Sequence, residues 1–244
     1  MYAYRVDYKA LRKNPRKFVA LTGLTPKEFS EILPAFEQAF RELYPADKTR
    51  TGKRRKRKGG GGRKSVLSGW ATKLLFVLTY TKTYPLQVVL GAMFDLSQAQ
   101  VNEWLHRLLP VLGAALDRLG VLPEREGRAF ARHKRQPREP QDWIIDGTER
   151  RRQRPKSPKK QAKHYSGRKK MHSDKNLVIV NTHSKRVGYL SPTVAGKHHD
   201  KAVAEQEHIA YPPRTVLRQD TGFQGYQPAG CHVQQAKKSL AGGR

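Results

Sequence analysis

The chain has 244 residues, with 49 Lys or Arg against 20 Asp or Glu, a formal net charge of +29 at pH 7. A chain this basic repels itself unless a polyanion is near, and its cations fall in runs rather than along one amphipathic face, so nucleic acid is favoured over a membrane surface. The single cysteine, Cys231, excludes an internal disulfide, and no Cys/His cluster has zinc spacing. The opening MYAYRVDYKALRKNP lacks the apolar run of a signal peptide, and no stretch approaches the roughly 18 apolar residues of a membrane span, so a soluble cytoplasmic protein is expected.

At 37% hydrophobic residues the chain can bury a core, and its length suits two small domains. Thr25-Pro26-Lys27-Glu28 reads as a helix start, with Thr25 and Glu28 as the two halves of a capping box. Phe29, Ile32, Leu33, Phe36, Phe40 and Leu43 follow at helical spacing, and the helix should end near Tyr44-Pro45. KRRKRKGGGGRK, from Lys53 to Lys64, joins like charges to four glycines and buries nothing. It reads as a basic linker, either a solvated spacer or a phosphate contact through Lys53, Arg54, Arg55, Lys56, Arg57 and Lys58.

Helical periodicity resumes from Val66, with Leu67, Trp70, Ala71, Leu74 and Leu78 on one face. A second helix follows Pro85, with Leu86, Val89, Leu90 and Met93 in register. Asp95-Leu96-Ser97 interrupts it, and Ser97 with Gln100 forms another capping box that opens a third helix, its apolar face being Val101, Trp104, Leu105 and Leu108. Two short helices across a tight turn, about residues 86–109, make a helix-turn-helix candidate. Its second helix would enter the major groove with Gln98, Gln100, Asn102, Glu103 and Arg107 exposed to base edges. The plainer alternative is a helical hairpin with no DNA partner.

A leucine-rich helix ends near Leu119, and the charged, proline-bounded PEREGRAFARHKRQPREP reads as an interdomain linker over 123–140. Helical residues 1–122 would thus precede an α/β unit over 141–244. In that second half Trp143 to Asp146, Leu177 to Asn181, Val187 to Leu190 and Thr215 to Gln219 are short β-branched runs, and Asp200 to Ile209 reads as a helix with Ala202, Val203 and Ile209 inward. Asn181 to Arg186 is short and polar enough to turn one strand back on the next.

Asp146 ends the first of these strands and Asp220 the last, so adjacent strands can bring the two carboxylates together. Their mutual repulsion would be relieved by a hard divalent cation such as Mg²⁺, which can activate an attacking oxygen and stabilise a leaving one at phosphorus. Otherwise the two aspartates cap turns, since each precedes a glycine-containing turn. Between them, Glu149 to His172 is dense in Lys and Arg, either a sequence-independent phosphate contact or, in its first half, solvated chain.

IIDGTE at 144–149, HYSGRKKMHSDK at 164–175, the SP...G..HD pattern at 191–200 and DTGFQGY at 220–226 resemble successive motifs of the DDE superfamily endonucleases of bacterial insertion sequences. TGLTPKEF and the helices around Leu86 to Leu109 are similar to the helix-turn-helix domain that precedes that core. The resemblance implies an RNase H-like catalytic domain, recognition of terminal inverted repeats in duplex DNA, and cleavage and strand transfer dependent on Mg²⁺ or Mn²⁺. It maps Asp146 and Asp220 onto two catalytic, metal-binding carboxylates, and gives Tyr165, Arg168, Lys169, Lys170, His172 and Asp200 roles in DNA or active-site support. A homo-oligomer that joins two ends, associated with the nucleoid, is implied as well.

The family's third acid, a downstream glutamate, has no counterpart, because no Asp or Glu follows Asp220. Glu149, Glu205 and Glu207 are the substitutes to weigh, with Glu149 expected beyond the strand end. A truncated, impaired enzyme is therefore the expectation. The alternatives are a binding-only transposase product acting as a repressor or inhibitor, and an RNA-binding protein. The latter is disfavoured by the lack of RNP-like aromatics on a sheet.

Overall fold

The computed structural model describes residues 6–49, 52–56, 65–132 and 141–235. The chain divides into two compact units, Met1–Val121 and Leu122–Arg244.

The first unit is helical: α1 (Tyr8–Arg12), α2 (Pro15–Thr22), α3 (Pro26–Leu43), α4 (Trp70–Thr83), α5 (Gln87–Phe94) and α6 (Gln98–Arg118). Both expected capping boxes form, at Thr25/Glu28 and at Ser97/Gln100. The first depresses the Glu28 pKa, through the Thr25 backbone N–H and then its hydroxyl. Tyr8, Phe18 and Phe29 stack in the core, with ring centroids 5.2 Å apart for Tyr8–Phe29 and for Phe18–Phe29.

Three details of the helical reading change. The fourth helix begins at Trp70 rather than Val66 and is buried nearly all round, from Lys73 to Thr79, so it is central rather than amphipathic. The fifth buries Leu90, Gly91 and Phe94 with Met93 packed against the core, while Val89 and the N-cap Leu86, both expected on the inner face, are exposed. The leucine-rich stretch ending near Leu119 is the continuation of α6, which passes through Pro110 on an exposed position without stopping.

The second unit carries a mixed sheet: β1 (Asp142–Arg151), β2 (Tyr165–Ser166), β3 (Met171–Asn181), β4 (Val187–Leu190), β5 (Val194–Ala195), β6 (Thr215–Gln219) and β7 (Cys231–Gln235), with α7 (Pro158–His164) and α8 (Asp200–Gln206). Its main path runs β2-β3-β1-β6-β7, with β4 and β5 also paired to β3. β1 is antiparallel to β3 and parallel to β6, and β6 is parallel to β7. The Asn181 side chain closes the β3–β4 turn by accepting from the backbone N–H of His183 and Ser184 at 2.9 and 3.0 Å.

Trp143, Ile145, Leu177, Ile179, Tyr189, Val203 and Leu217 form the core on one face of this sheet. Val203 and Ile209 point inward as expected, whereas Ala202 is exposed. Within the segment read as a linker, Gly127–Arg132 is a 3-10 turn, and Phe130 is fully buried in this core against Trp143. The basic stretch after Asp146 takes regular structure with most of its residues exposed: β1 continues to Arg151, α7 follows, and Arg152 and His164 each lie 2.9 Å from Asp174.

Among the described residues no helix is long and apolar enough to cross a membrane.

Candidate functional site

In the helical unit, α5 and α6 meet across Asp95-Leu96-Ser97. The turn is tight because a Cβ on Gly91 would lie 2.4 Å from the Leu96 carbonyl oxygen, so only glycine allows the approach. Gln98, Gln100, Asn102, Glu103 and Arg107 are all exposed on α6, but their side chains differ in what they already bind. Gln100 accepts from the Ser97 N–H at 2.9 Å, which commits its carbonyl oxygen to the cap. Arg107 lies over the rings of Phe40, Tyr44 and Trp104, with centroid distances of 4.9, 4.6 and 5.5 Å.

Lys73, mostly buried, sits 5.0 Å from the Trp70 ring and 5.7 Å from that of Trp104, and donates to the Ser68 carbonyl at 3.1 Å. Burial, and secondarily Arg107, lowers its pKa; burial likewise lowers that of Arg107. Sequence periodicity gives no sign of this cluster, because its rings come from three different helices. Lys53, Arg54, Arg55 and Lys56 are exposed beside a bridge from Lys48 to Arg54, with the Arg55 guanidinium donating to the Lys48 carbonyl at 2.7 Å. Arg57 and Lys58 lie outside the described residues.

In the second unit the parallel ladder of β1 and β6 pairs Asp142 with Val216, Trp143 with Leu217, Ile144 with Arg218 and Ile145 with Gln219. Asp146 and Asp220 are the residues that follow the last of these pairs, and the Asp220 backbone is still extended. Side chains alternate along neighbouring strands, so residues at matching positions on them share a face. Ile145 and Gln219 face the core, Ile144 and Arg218 the exposed side, and both aspartates are exposed.

Asp146 thus lies within β1 rather than at its end. Each aspartate also accepts a local hydrogen bond, Asp146 from the Gly147 N–H at 2.7 Å and Asp220 from the Gly222 N–H at 2.9 Å. A turn-capping role is present at Asp220, which caps the 3-10 turn Thr221–Phe223, but not at Asp146, which together with Gly147 lies inside a strand.

Behind this pair is a buried ion cluster. Glu149, inside β1 rather than beyond it, stands directly across from Lys175 of β3. The Lys175 Nζ is 3.4 Å from Glu149 Oε1 and 2.7 Å from Asp200 Oδ1, and donates to the His198 carbonyl at 2.8 Å. The contact with Asp200 is an ion pair off hydrogen-bond alignment, so that oxygen holds no aligned donor. Burial pushes the Glu149 carboxyl upward, but hydroxyls of Ser173 and Ser166 and the Lys175 ammonium outweigh it and hold the group below its ordinary range. Asp200 crosses over the glycines that follow both aspartates: a Cβ on Gly147 would lie 2.3 Å from Asp200 Oδ1, and one on Gly222 would lie 3.0 Å from Asp220 Oδ1 and 3.1 Å from Asp200 Oδ2.

The tight hairpin between β2 and β3 brings one cation, Arg168, towards Asp200. Arg168, Lys169 and Lys170 are exposed at its tip, Lys170 with a left-handed φ of 50°, and the Arg168 guanidinium is 4.0 Å from Asp200 Oδ2. Tyr165 and His172 pair across its base, their rings 5.5 Å apart. The other two acids considered lie elsewhere: Glu205 is exposed beside Lys201, and Glu207 accepts from the Tyr189 hydroxyl at 2.6 Å.

Adjacent exposed carboxylates suit one hydrated Mg²⁺, which takes one or two carboxylates and keeps several waters. Among the described residues no group of three or more His, Cys, Asp or Glu is arranged to hold a metal ion.

Residues 145–241 match the family model for the DDE superfamily endonuclease. Residues 71–117, which take in α4, α5 and most of α6, match that for the helix-turn-helix of the DDE superfamily endonuclease. No curated protein and no solved structure matches the chain. A helix-turn-helix and an endonuclease core matching two parts of one architecture, in order along one chain, support a DDE-type transposase family for this protein.

Proposed function

We propose that this protein is a bacterial insertion-sequence transposase that binds terminal inverted repeats and carries out phosphodiester cleavage and strand transfer, with Asp146 and Asp220 as its catalytic carboxylates. The observation that supports the reading is the parallel β1–β6 register, whose last pair, Ile145 with Gln219, immediately precedes the two exposed, chain-distant aspartates. A sheet in which β1 is flanked by antiparallel β3 and parallel β6, with β7 beyond, supports an RNase H-like arrangement.

Asp146 and Asp220 would hold Mg²⁺ or Mn²⁺, which when bound lowers the pKa of an attacking oxygen and neutralises charge on a leaving one. The chain's own contribution is placement. Arg168, Lys169 and Lys170 would neutralise the phosphates beside the carboxylates, with Tyr165 and His172 fixing the hairpin that presents them. On α6, Gln98, Asn102 and Glu103 have side chains uncommitted to the cap or the aromatic cluster and would read base edges. Gln100 and Arg107 would serve mainly to hold that helix in place, and the Lys53–Lys56 run would add phosphate contact. A dimer would bring two ends together.

Asp146 and Asp220 supply two carboxylates where a pair of metal ions needs more, so cleavage that rests on these two alone should be slow. The test is nicking of a labelled inverted-repeat end in Mg²⁺ or Mn²⁺. Weak nicking abolished by Asp146→Asn and by Asp220→Asn is expected. Nicking that survives both changes, or binding that prefers structured RNA to duplex ends, would reject the proposal.

A further inference from the structure

We propose that Lys175 is the positioning residue of the carboxylate site, a buried clamp that fixes the backbone after Asp146 and after Asp220 by holding Asp200 over Gly147 and Gly222. This rests on the reading of Asp146 and Asp220 as the reactive pair. Lys175 is the last residue of one motif, Glu149 of another and Asp200 of a third, and all three meet although they are far apart in sequence. Their side chains are only 6%, 8% and 10% exposed.

An ammonium is not buried for stability alone, since desolvating it offsets most of its attraction to partners. What it does well is fix geometry, because removing it leaves two buried carboxylates in mutual repulsion. Here the clamp ties β1, β3 and the start of α8 at one point. The hydroxyls of Ser173 and Ser166 hold the far side of Glu149, and Arg168 approaches the open oxygen of Asp200. The Asp200 carboxylate in turn occupies the space a Cβ would take at Gly147 and abuts Gly222, whose amides donate to Asp146 and Asp220. Any shift of Asp200 therefore reaches both aspartates through the backbone.

The experiment compares the full chain with Lys175→Met, Lys175→Arg and the charge-free Glu149→Gln/Lys175→Met/Asp200→Asn variant. Mn²⁺ alone is the probe, titrated by electron paramagnetic resonance, and the amide exchange of Gly147 and Gly222 is followed by NMR against Leu177 and Ile179. Lys175→Met is expected to weaken Mn²⁺ binding by about 10- to 100-fold, as loss of an outer partner of a ligand does, with partial recovery in Lys175→Arg. It should also speed exchange at Gly147 and Gly222 while Leu177 and Ile179 stay protected. Wild-type Mn²⁺ affinity and unchanged Gly147 and Gly222 exchange in a folded Lys175→Met protein would overturn the clamp. If Lys175→Met unfolds, the charge-free variant takes its place with the same criteria. If wild type binds no Mn²⁺, or binds it undiminished after Asp146→Asn, the reading of the reactive pair fails, and the two glycine amides alone decide the clamp.

Discussion

Gly147→Ala is the smallest change that tests the packing behind the aspartates. The new Cβ would lie 2.3 Å from Asp200 Oδ1, 2.8 Å from its Cγ and 3.3 Å from its Oδ2, where ordinary contact begins near 3.4 Å. The carboxylate has to retreat by about 1 Å or the strand has to bend, and Lys175, 2.7 Å from Asp200 Oδ1, resists the first. Overpacking of this kind costs about 1–3 kcal/mol. Native-state hydrogen exchange at Leu177 and Ile179 of β3 reads the stability of this sheet separately from the helices. Gly167→Ala, at a hairpin position with nothing within 4 Å of the added carbon, serves as the control and should stay within about 0.5 kcal/mol of wild type. Equal protection in wild type and Gly147→Ala would refute the placement of Asp200 over β1.

Arg107→Ala should destabilise the helical unit by about 1–2 kcal/mol by removing the cation from its three rings, measured by urea unfolding, whereas Asn102→Ala should leave stability within about 0.5 kcal/mol and relax base preference by about 1–3 kcal/mol in competition binding. Replacing exposed Lys53, Arg54 and Lys56 by Gln should weaken binding to all duplexes alike and flatten the salt slope by about 0.9 for each phosphate no longer neutralised, read from affinity against salt concentration. The Glu149 carboxyl is held below its ordinary range, so it contributes stability above about pH 4.3 that is lost as pH falls through the lower folded value. The stability gap between wild type and Glu149→Gln should therefore be full at about pH 6 and shrink below about pH 4, as followed by denaturant unfolding across that range.

Local chemistry made much of this architecture legible. Thr25/Glu28 and Ser97/Gln100 announce helix starts by the donors they satisfy, and β-branched runs located four strands. Periodicity misled where burial is not one-sided: α4 is buried nearly all round from Lys73 to Thr79, and at α5 Val89 and the N-cap Leu86 are exposed while Gly91 is buried against the following turn. The reach of β1 to Arg151 was hidden because its outer half is charged, with Arg150 donating to Asn176 and Thr193 across the strands instead of a hydrophobic alternation.

The two aspartates were readable from strand order, but the ion cluster behind them was not. Asp200 had a supporting role by resemblance and Glu149 was a substitute acid to weigh, but Lys175 looks like a surface charge in sequence, and only register makes it face Glu149. The aromatic surround of Arg107 was likewise out of reach, since Phe40 and Tyr44 come from the end of α3 and meet Arg107 and Trp104 of α6 only in the packed unit.

The joint metal-binding role of Asp146 and Asp220 is tested most directly by letting the ion report its own position. Fe²⁺ in place of Mg²⁺, with ascorbate and peroxide, cleaves peptide bonds near the bound metal, and mass spectrometry of the fragments locates the cuts. Cuts near residues 146 and 220 together, both suppressed by excess Mg²⁺ and both lost in either Asp146→Asn or Asp220→Asn, are the predicted result. Cuts at only one of the two segments, or a pattern unchanged by either substitution, would contradict a shared site.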